Sequence, residues 1–158
     1  PLVIDADAIN LISEDSNLLE SIPENSILTP HLGELKRLVG IHKTDEEMLS
    51  AQIAFSIKHK VYLIQKGPYS KLTTPEGKLY INSTGNPGMA TAGMGDALTG
   101  LIGSFLAQGY QALEAAMNGM FLHGYAADLF AKNQGEIGMT ASDVVNLMPK
   151  VINQFVRT

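Results

Sequence analysis

The sequence predicts a three-layer α/β fold built on a mostly parallel sheet, and three observations carry that reading. Short apolar runs at Pro1-Leu2-Val3-Ile4, Ser26-Ile27-Leu28-Thr29 and Val61-Tyr62-Leu63-Ile64 alternate with helical stretches. That alternation is the pattern of crossover helices returning to a parallel sheet. A hairpin signal follows, Pro75-Glu76-Gly77 between two short strands, and then three helical stretches close the chain. The length, 158 residues, suits one domain.

Composition narrows the function. No uninterrupted apolar run is long enough for a membrane span. The net charge is −5 and no basic cluster occurs, which argues against a nucleic-acid partner. Cysteine is absent, so there is no disulfide and no thiolate metal site. No signal peptide is seen, from which a cytoplasmic location is expected. The chain begins at Pro1 and opens directly into a strand, as expected of a segment of something longer.

The elements follow in order. The run ending at Ile4 reads as a buried parallel strand. It delivers Asp5-Ala6-Asp7-Ala8-Ile9-Asn10 just beyond its C-terminus, where open α/β sheets bind ligands. Asp5 and Asp7 are placed to face a site there; Asp7 equally suits the cap of a helix reaching about Ile12. Asn17 to Glu24 reads as a short helix and turn. Pro30 stops the second strand, and Leu35, Leu38 and Val39 have helical spacing. At that helix start, His31 by itself reads as a cap and Glu34 as a first-turn carboxylate favoured by the dipole.

Thr44 and Glu47 have capping-box spacing, and Lys58-His59-Lys60 places cations at the end of the same helix. His42 and His59 read as surface residues. The third strand delivers Gln65-Lys66-Gly67-Pro68-Tyr69-Ser70, where Pro68 lacks an N–H. Beyond the hairpin, Leu98, Leu101, Ile102 and Phe105 form one helical face that Gly109 ends. Gly100 and Gly103 within it are expected to permit close packing. Leu113 to Ala131 is apolar nearly all round, which predicts a buried helix, with His123 and Asp128 as satisfied polar groups in its packing face. Thr140 caps a last helix carrying Val144, Leu147, Met148 and Ile152.

The chemistry centres on residues 85–96, Gly-Asn-Pro-Gly-Met-Ala-Thr-Ala-Gly-Met-Gly-Asp, which hold four of the 15 glycines. A glycine-rich loop running into a helix start points unpaired N–H groups at one spot, and the helix dipole makes that spot an anion site. Asp96 at its mouth repels the charge that the site attracts. It suits a general base beside a phosphoryl group under transfer. The plain alternative is an N-cap.

GNPGMATAGMGD closely resembles the GNPGMATGGTGD signature of the ADP/ATP-dependent NAD(P)H-hydrate dehydratases, a family of the ribokinase-like superfamily. Ala92 replaces Gly and Met94 replaces Thr; both keep the backbone N–H, while the Thr hydroxyl is lost. Further stretches match in family order. Asp5 to Asn10 is similar to DADALN, Thr29 to Glu34 to TPHxGE, and Lys66 to Ser70 to KGxxT with Ser70 in place of Thr. Thr140 to Asp143 matches the family's C-terminal end.

The resemblance implies repair of hydrated NADH or NADPH: phosphorylation of the ring hydroxyl by ADP or ATP with Mg²⁺, then elimination of phosphate. It implies that Asp96 takes the hydroxyl proton and contacts the substrate, and that His31 contacts the substrate as well. Gly93, Met94 and Gly95 would form the anion hole. Lys66, Gly67, Pro68, Tyr69 and Ser70, with Gly95, would bind the nucleotide. Glu34 would support magnesium through water, with no direct side-chain ligand to the metal. The family also implies a homo-oligomer. Its members begin well upstream of Pro1, some with an epimerase domain, so residues 1–158 are expected to be the C-terminal portion of one dehydratase domain. A kinase of a small alcohol or vitamin precursor and a non-catalytic nucleotide-binding or assembly module are the alternatives.

Overall fold

The computed structural model describes residues 1–155. The elements are β1 (Val3–Ile4), α1 (Asp7–Glu14), α2 (Ser16–Glu20), β2 (Ile27–Leu28), α3 (Leu32–Val39), α4 (Asp45–His59), β3 (Tyr62–Gln65), β4 (Lys71–Thr73) and β5 (Leu79–Ile81). A 3₁₀ turn at Pro87–Met89 precedes α5 (Met94–Ala107), α6 (Ala112–Gln134) and α7 (Ala141–Phe155).

The five strands lie in the order β1-β2-β3-β4-β5. The first three are parallel, with Val3 opposite Ile27 and Ile27 opposite Tyr62. The hairpin continues the sheet antiparallel, with Leu63 opposite Thr73 and Thr73 opposite Leu79. β1 is an edge strand among the described residues.

Side chains alternate across a pleated strand, and here both faces are apolar. Ile27, Tyr62, Ile64 and Leu72 meet α5, α6 and α7 on one face. Ile4, Leu28 and Leu63 meet α1, α3 and α4 on the other. The parallel strands are therefore apolar throughout because both faces are covered. This is the three-layer arrangement that the sequence predicts.

Local chemistry sets the helix ends. The Thr44 hydroxyl accepts from Glu47 N–H at 3.1 Å, and the Glu47 carboxylate accepts from Lys43 N–H at 2.9 Å. Thr140 and Asp143 are bonded at the start of α7, hydroxyl to carboxylate, at 2.6 Å. Asp7 is the first helical residue of α1, and the cap position falls on Ala6, with no side-chain cap bond. His42 and His59 are half-buried rather than on the surface. The His59 ring lies against Phe55 at 4.5 Å between centroids, and burial lowers its pKa.

The glycines that permit close packing are not Gly100 and Gly103, which face open space. They are Gly119 and Gly124 on α6. A Cβ on Gly119 would lie 2.4 Å from Ile102 Cγ1. A Cβ on Gly124 would lie 2.4 Å from Thr84 Oγ1 and 2.7 Å from the Thr84 carbonyl carbon. The Gly124 contact includes backbone, which cannot rotate away. Gly124→Ala is therefore expected to destabilise the fold by about 1–3 kcal/mol. A thermal melt of the variant that matches the parent would contradict this packing.

His123 of α6 is 5% exposed, and its Nε2 has no partner among the described residues. Burial pushes its pKa down from 6.5 to about 4. The imidazole is neutral in the fold and takes up its proton on unfolding. Its contribution is complete above pH 6.5 and is lost as pH falls toward about 4. The loss amounts to about 3 kcal/mol. Melting as a function of pH should show this decline, and His123→Leu should flatten it; equal slopes would count against it.

Candidate active site

The site forms beyond the C-terminal ends of the three parallel strands. The sheet register runs past β2 and β3: His31 and Lys66 pair as an isolated parallel bridge, and Lys66 N–H donates to Pro30 O at 2.8 Å. That pairing sets the His31 and Lys66 segments side by side. The Lys66 ammonium reaches back to Asp5 at the end of β1, with Nζ 2.5 Å from Oδ1. The other oxygen, Oδ2, accepts from the Thr99 hydroxyl of α5 at 3.0 Å.

α5 opens on Gly93, whose φ of 85° is left-handed backbone that glycine takes without penalty. Met94 follows, then Gly95, then Asp96. Asp96 is thus the third helical residue and not the cap, and no side-chain cap bond exists at this end. Ala97 N–H donates to Gly93 O at 2.9 Å, and Met94 N–H turns to Thr91 O at 3.4 Å. The N–H groups of Gly95 and Asp96 have no acceptor among the described residues. The Asp96 side chain is exposed. Met94 buries its side chain in the core.

Gly95 leaves only a tight space for a side chain. A Cβ there would stand 3.2 Å from Lys66 Nζ and 3.3 Å from Asp5 Oδ2. The start of α5 and the Asp5–Lys66 pair are therefore one contiguous group.

The loop after Lys66 is open. Gly67 has a φ of 150°, and Tyr69 is left-handed at 54° and 72% exposed. The N–H groups of Gly67, Tyr69 and Ser70 make no bond among the described residues, and Pro68 has none to offer. The Ser70 hydroxyl donates to Gly67 O at 3.0 Å.

His31 caps α3. Its Nδ1 accepts from Gly33 N–H at 2.9 Å and Glu34 N–H at 3.3 Å, which leaves the ring proton on Nε2. Glu34 is 4% exposed and both its oxygens turn to His31. Oε2 accepts from His31 N–H at 2.8 Å, and Oε1 lies 3.2 Å from Nε2. The His31 side chain stays 57% exposed, so part of the ring remains open to solvent.

The glycine loop is held from α6. The Asp128 carboxylate accepts from Gly85 N–H and from Asn86 Nδ2, each at 2.9 Å. The Thr84 hydroxyl donates to Phe121 O at 2.9 Å, and Asn82 Nδ2 donates to Met120 O at 3.1 Å. Asp128 is indeed a satisfied polar group, but what satisfies it is the entrance to the glycine loop. Its signal in the sequence was its spacing: Gly124 and Asp128 are four apart on one face of an otherwise apolar helix, where a backbone can approach.

Residues 1–150 match the family described as NAD(P)H-hydrate dehydratase. The chain belongs to that family. It is 40% identical over 154 residues to the bifunctional NAD(P)H-hydrate repair enzyme Nnr of Moorella thermoacetica, covering 96% of this chain and 29% of that protein. It is 39% identical over 150 residues to the ADP-dependent (S)-NAD(P)H-hydrate dehydratase of Neisseria meningitidis serogroup B, covering 91% of this chain and 50% of that one. Among solved structures it is similar to the Bacillus subtilis ADP/ATP-dependent NAD(P)H-hydrate dehydratase co-crystallized with ATP/Mg²⁺. The TM-score there is 0.86 at 26% identity, over 99% of this chain and 55% of that one. The chain thus spans about half of the shorter relatives and under a third of the bifunctional one. The dehydratase fold is ribokinase-like, in keeping with a superfamily neighbour.

Proposed function

We propose that the protein carrying this chain dehydrates hydrated NADH or NADPH with ADP or ATP as phosphoryl donor, and that residues 1–158 supply the phosphoryl-transfer part of one dehydratase domain. The observation that carries the proposal is the start of α5. An exposed carboxylate, Asp96, stands beside two N–H groups that are unpaired among the described residues, with the Lys66 ammonium close to Gly95.

The chemistry follows from that geometry. The substrate's ring hydroxyl attacks the terminal phosphorus of the nucleotide. The bond to the departing nucleotide breaks as the new P–O bond forms, and an Asp96 oxygen takes the hydroxyl proton. Charge gathers on the transferring phosphoryl oxygens, where N–H donors already in place stabilise it. The phosphate then leaves with the electrons of the ring C–O bond, and the neighbouring carbon gives up a proton to restore the ring double bond. Gly67, Tyr69 and Ser70 offer N–H groups to the nucleotide's phosphates, and Lys66 supplies the cation. His31, its Nε2 turned to Glu34, presents the exposed part of its ring to the dinucleotide.

No group of three or more metal-binding side chains comes together among the described residues. Both Glu34 oxygens are committed to His31. Magnesium arriving with the nucleotide would be held chiefly by phosphate oxygens and water, which suits that ion. When bound it would neutralise phosphate charge. A homo-oligomer located in the cytoplasm completes the proposal. No described helix is long and apolar enough to cross a membrane.

The test is incubation of the full-length protein with hydrated NADH, magnesium and each nucleotide in turn, following the absorbance of the reduced ring. Regenerated NADH is the expected result. A stable phosphate ester would indicate the small-alcohol kinase instead, and nucleotide binding without turnover would indicate a non-catalytic module.

A further inference from the structure

Asp5 joins three elements with one carboxylate. Oδ1 holds the Lys66 ammonium at the end of β3, and Oδ2 takes the Thr99 hydroxyl of α5. The carboxylate is 8% exposed and the lysine side chain 21%. Gly95 and Thr99 are four apart, so both lie on the face of α5 that looks at Asp5. The Cβ position of Gly95 is 3.3 Å from the oxygen that Thr99 binds. Asp5 therefore bonds α5 at Thr99 and lies close to the preceding turn at Gly95, positions either side of Asp96 on one face.

We infer that Asp5 and Thr99 are positioning residues of the phosphoryl-transfer site, which fix the rotation of the α5 start relative to Lys66. This rests on the dehydratase reading for its functional consequence and on the contacts alone for its structural one. The electrostatics explain why a carboxylate does this work. A bare ammonium beside a helix N-terminus is repelled by the dipole, whereas a carboxylate is attracted. Asp5 thus lets Lys66 stand beside Gly95 without opposing the partial charge there. The Thr99 bond fixes the carboxylate, the carboxylate fixes the ammonium, and the same bond sets which way residues 95 and 96 face. A helix start that turned by a few tens of degrees would carry the Asp96 oxygens away from the attacking hydroxyl. Misplacement on the scale of an ångström lowers rates up to about a hundredfold.

Thr99→Val keeps the side-chain shape and removes the hydroxyl; Thr99→Ser restores it. In the full-length protein, Thr99→Val should lower kcat about tenfold or more, with the nucleotide KM near that of the parent, because Lys66 is still paired. Thr99→Ser should recover kcat. Asp5→Asn combined with Thr99→Val should lower kcat less than the product of the single effects, since both act through one contact. A Val variant with parental kcat, or a Ser variant as impaired as Val, overturns the inference. Should the parent protein turn over no hydrated NADH, the dehydratase reading fails by itself and hydrogen exchange still decides the positioning. The Ala97 amide, bonded to Gly93 O at 2.9 Å, should exchange faster in Thr99→Val and at the parental rate in Thr99→Ser. Equal exchange in the two variants overturns it.

Discussion

Replacing Asp96 by Asn in the full-length protein is expected to lower turnover by about two to four orders of magnitude, the range for removal of a general base. Nucleotide affinity should stay near the parental value, because the N–H groups of Gly95 and residue 96 and the Lys66 ammonium are all retained. The fold should tolerate the change. The Asp96 side chain is exposed and forms no hydrogen bond or ion pair among the described residues. The remaining loss is its favourable place in the first turn of a helix, worth about 0.3–1 kcal/mol. Turnover, calorimetric nucleotide binding and thermal melting on one preparation separate the three quantities. Near-parental turnover would remove Asp96 from the chemistry. A large loss of nucleotide affinity would recast it as part of the binding site.

Strands and helices were legible in this sequence because their signals are local. Apolar runs covered on both faces, a Gly-containing turn and Thr44 opposite Glu47 each span a few residues. The glycine stretch was legible for the same reason: its backbone chemistry and the helix that it opens are contiguous. What escaped depends on partners far along the chain. Asp5 meets Lys66 across 61 residues and Thr99 across 94. Nothing near Asp5 announces either one. Nor does a helix's own sequence say which of its glycines meets a neighbour. Gly100 and Gly103 lie in the helix that opens on the site, yet Gly119 and Gly124 take the close contacts, because the rotation of α5 and α6 is set by packing. His31 and Glu34 show both sides of this. Their three-residue spacing shows the cap, while the commitment of both Glu34 oxygens to His31 appears only in three dimensions.

The second large effect concerns Lys66. Read as a free cation after a strand, it predicts a single consequence for Lys66→Ala, weaker nucleotide binding. Its pairing with Asp5 adds another. Removing the ammonium leaves a carboxylate that is 8% exposed, with only Thr99 to satisfy it among the described residues. Breaking a buried pair from one side costs about 3–5 kcal/mol, and the partial exposure of Lys66 places this case at about 3 kcal/mol. On the proposed role of Lys66 in phosphate binding, the uncompensated carboxylate also repels the nucleotide, so repulsion adds to the lost attraction. The two consequences can be separated by a second substitution. Asp5→Asn together with Lys66→Ala removes both charges, and it should recover much of the stability lost in the single variant. Nucleotide affinity should recover only by the part that was repulsion and remain below that of the parent, because no cation is restored. Denaturant melts and calorimetric titrations with ATP and ADP measure the two axes. A double variant no more stable than Lys66→Ala would show that the pair contributes nothing to the fold. A Lys66→Ala protein that binds nucleotide as tightly as the parent would show that Lys66 serves Asp5 alone and that the phosphates are held by backbone N–H groups.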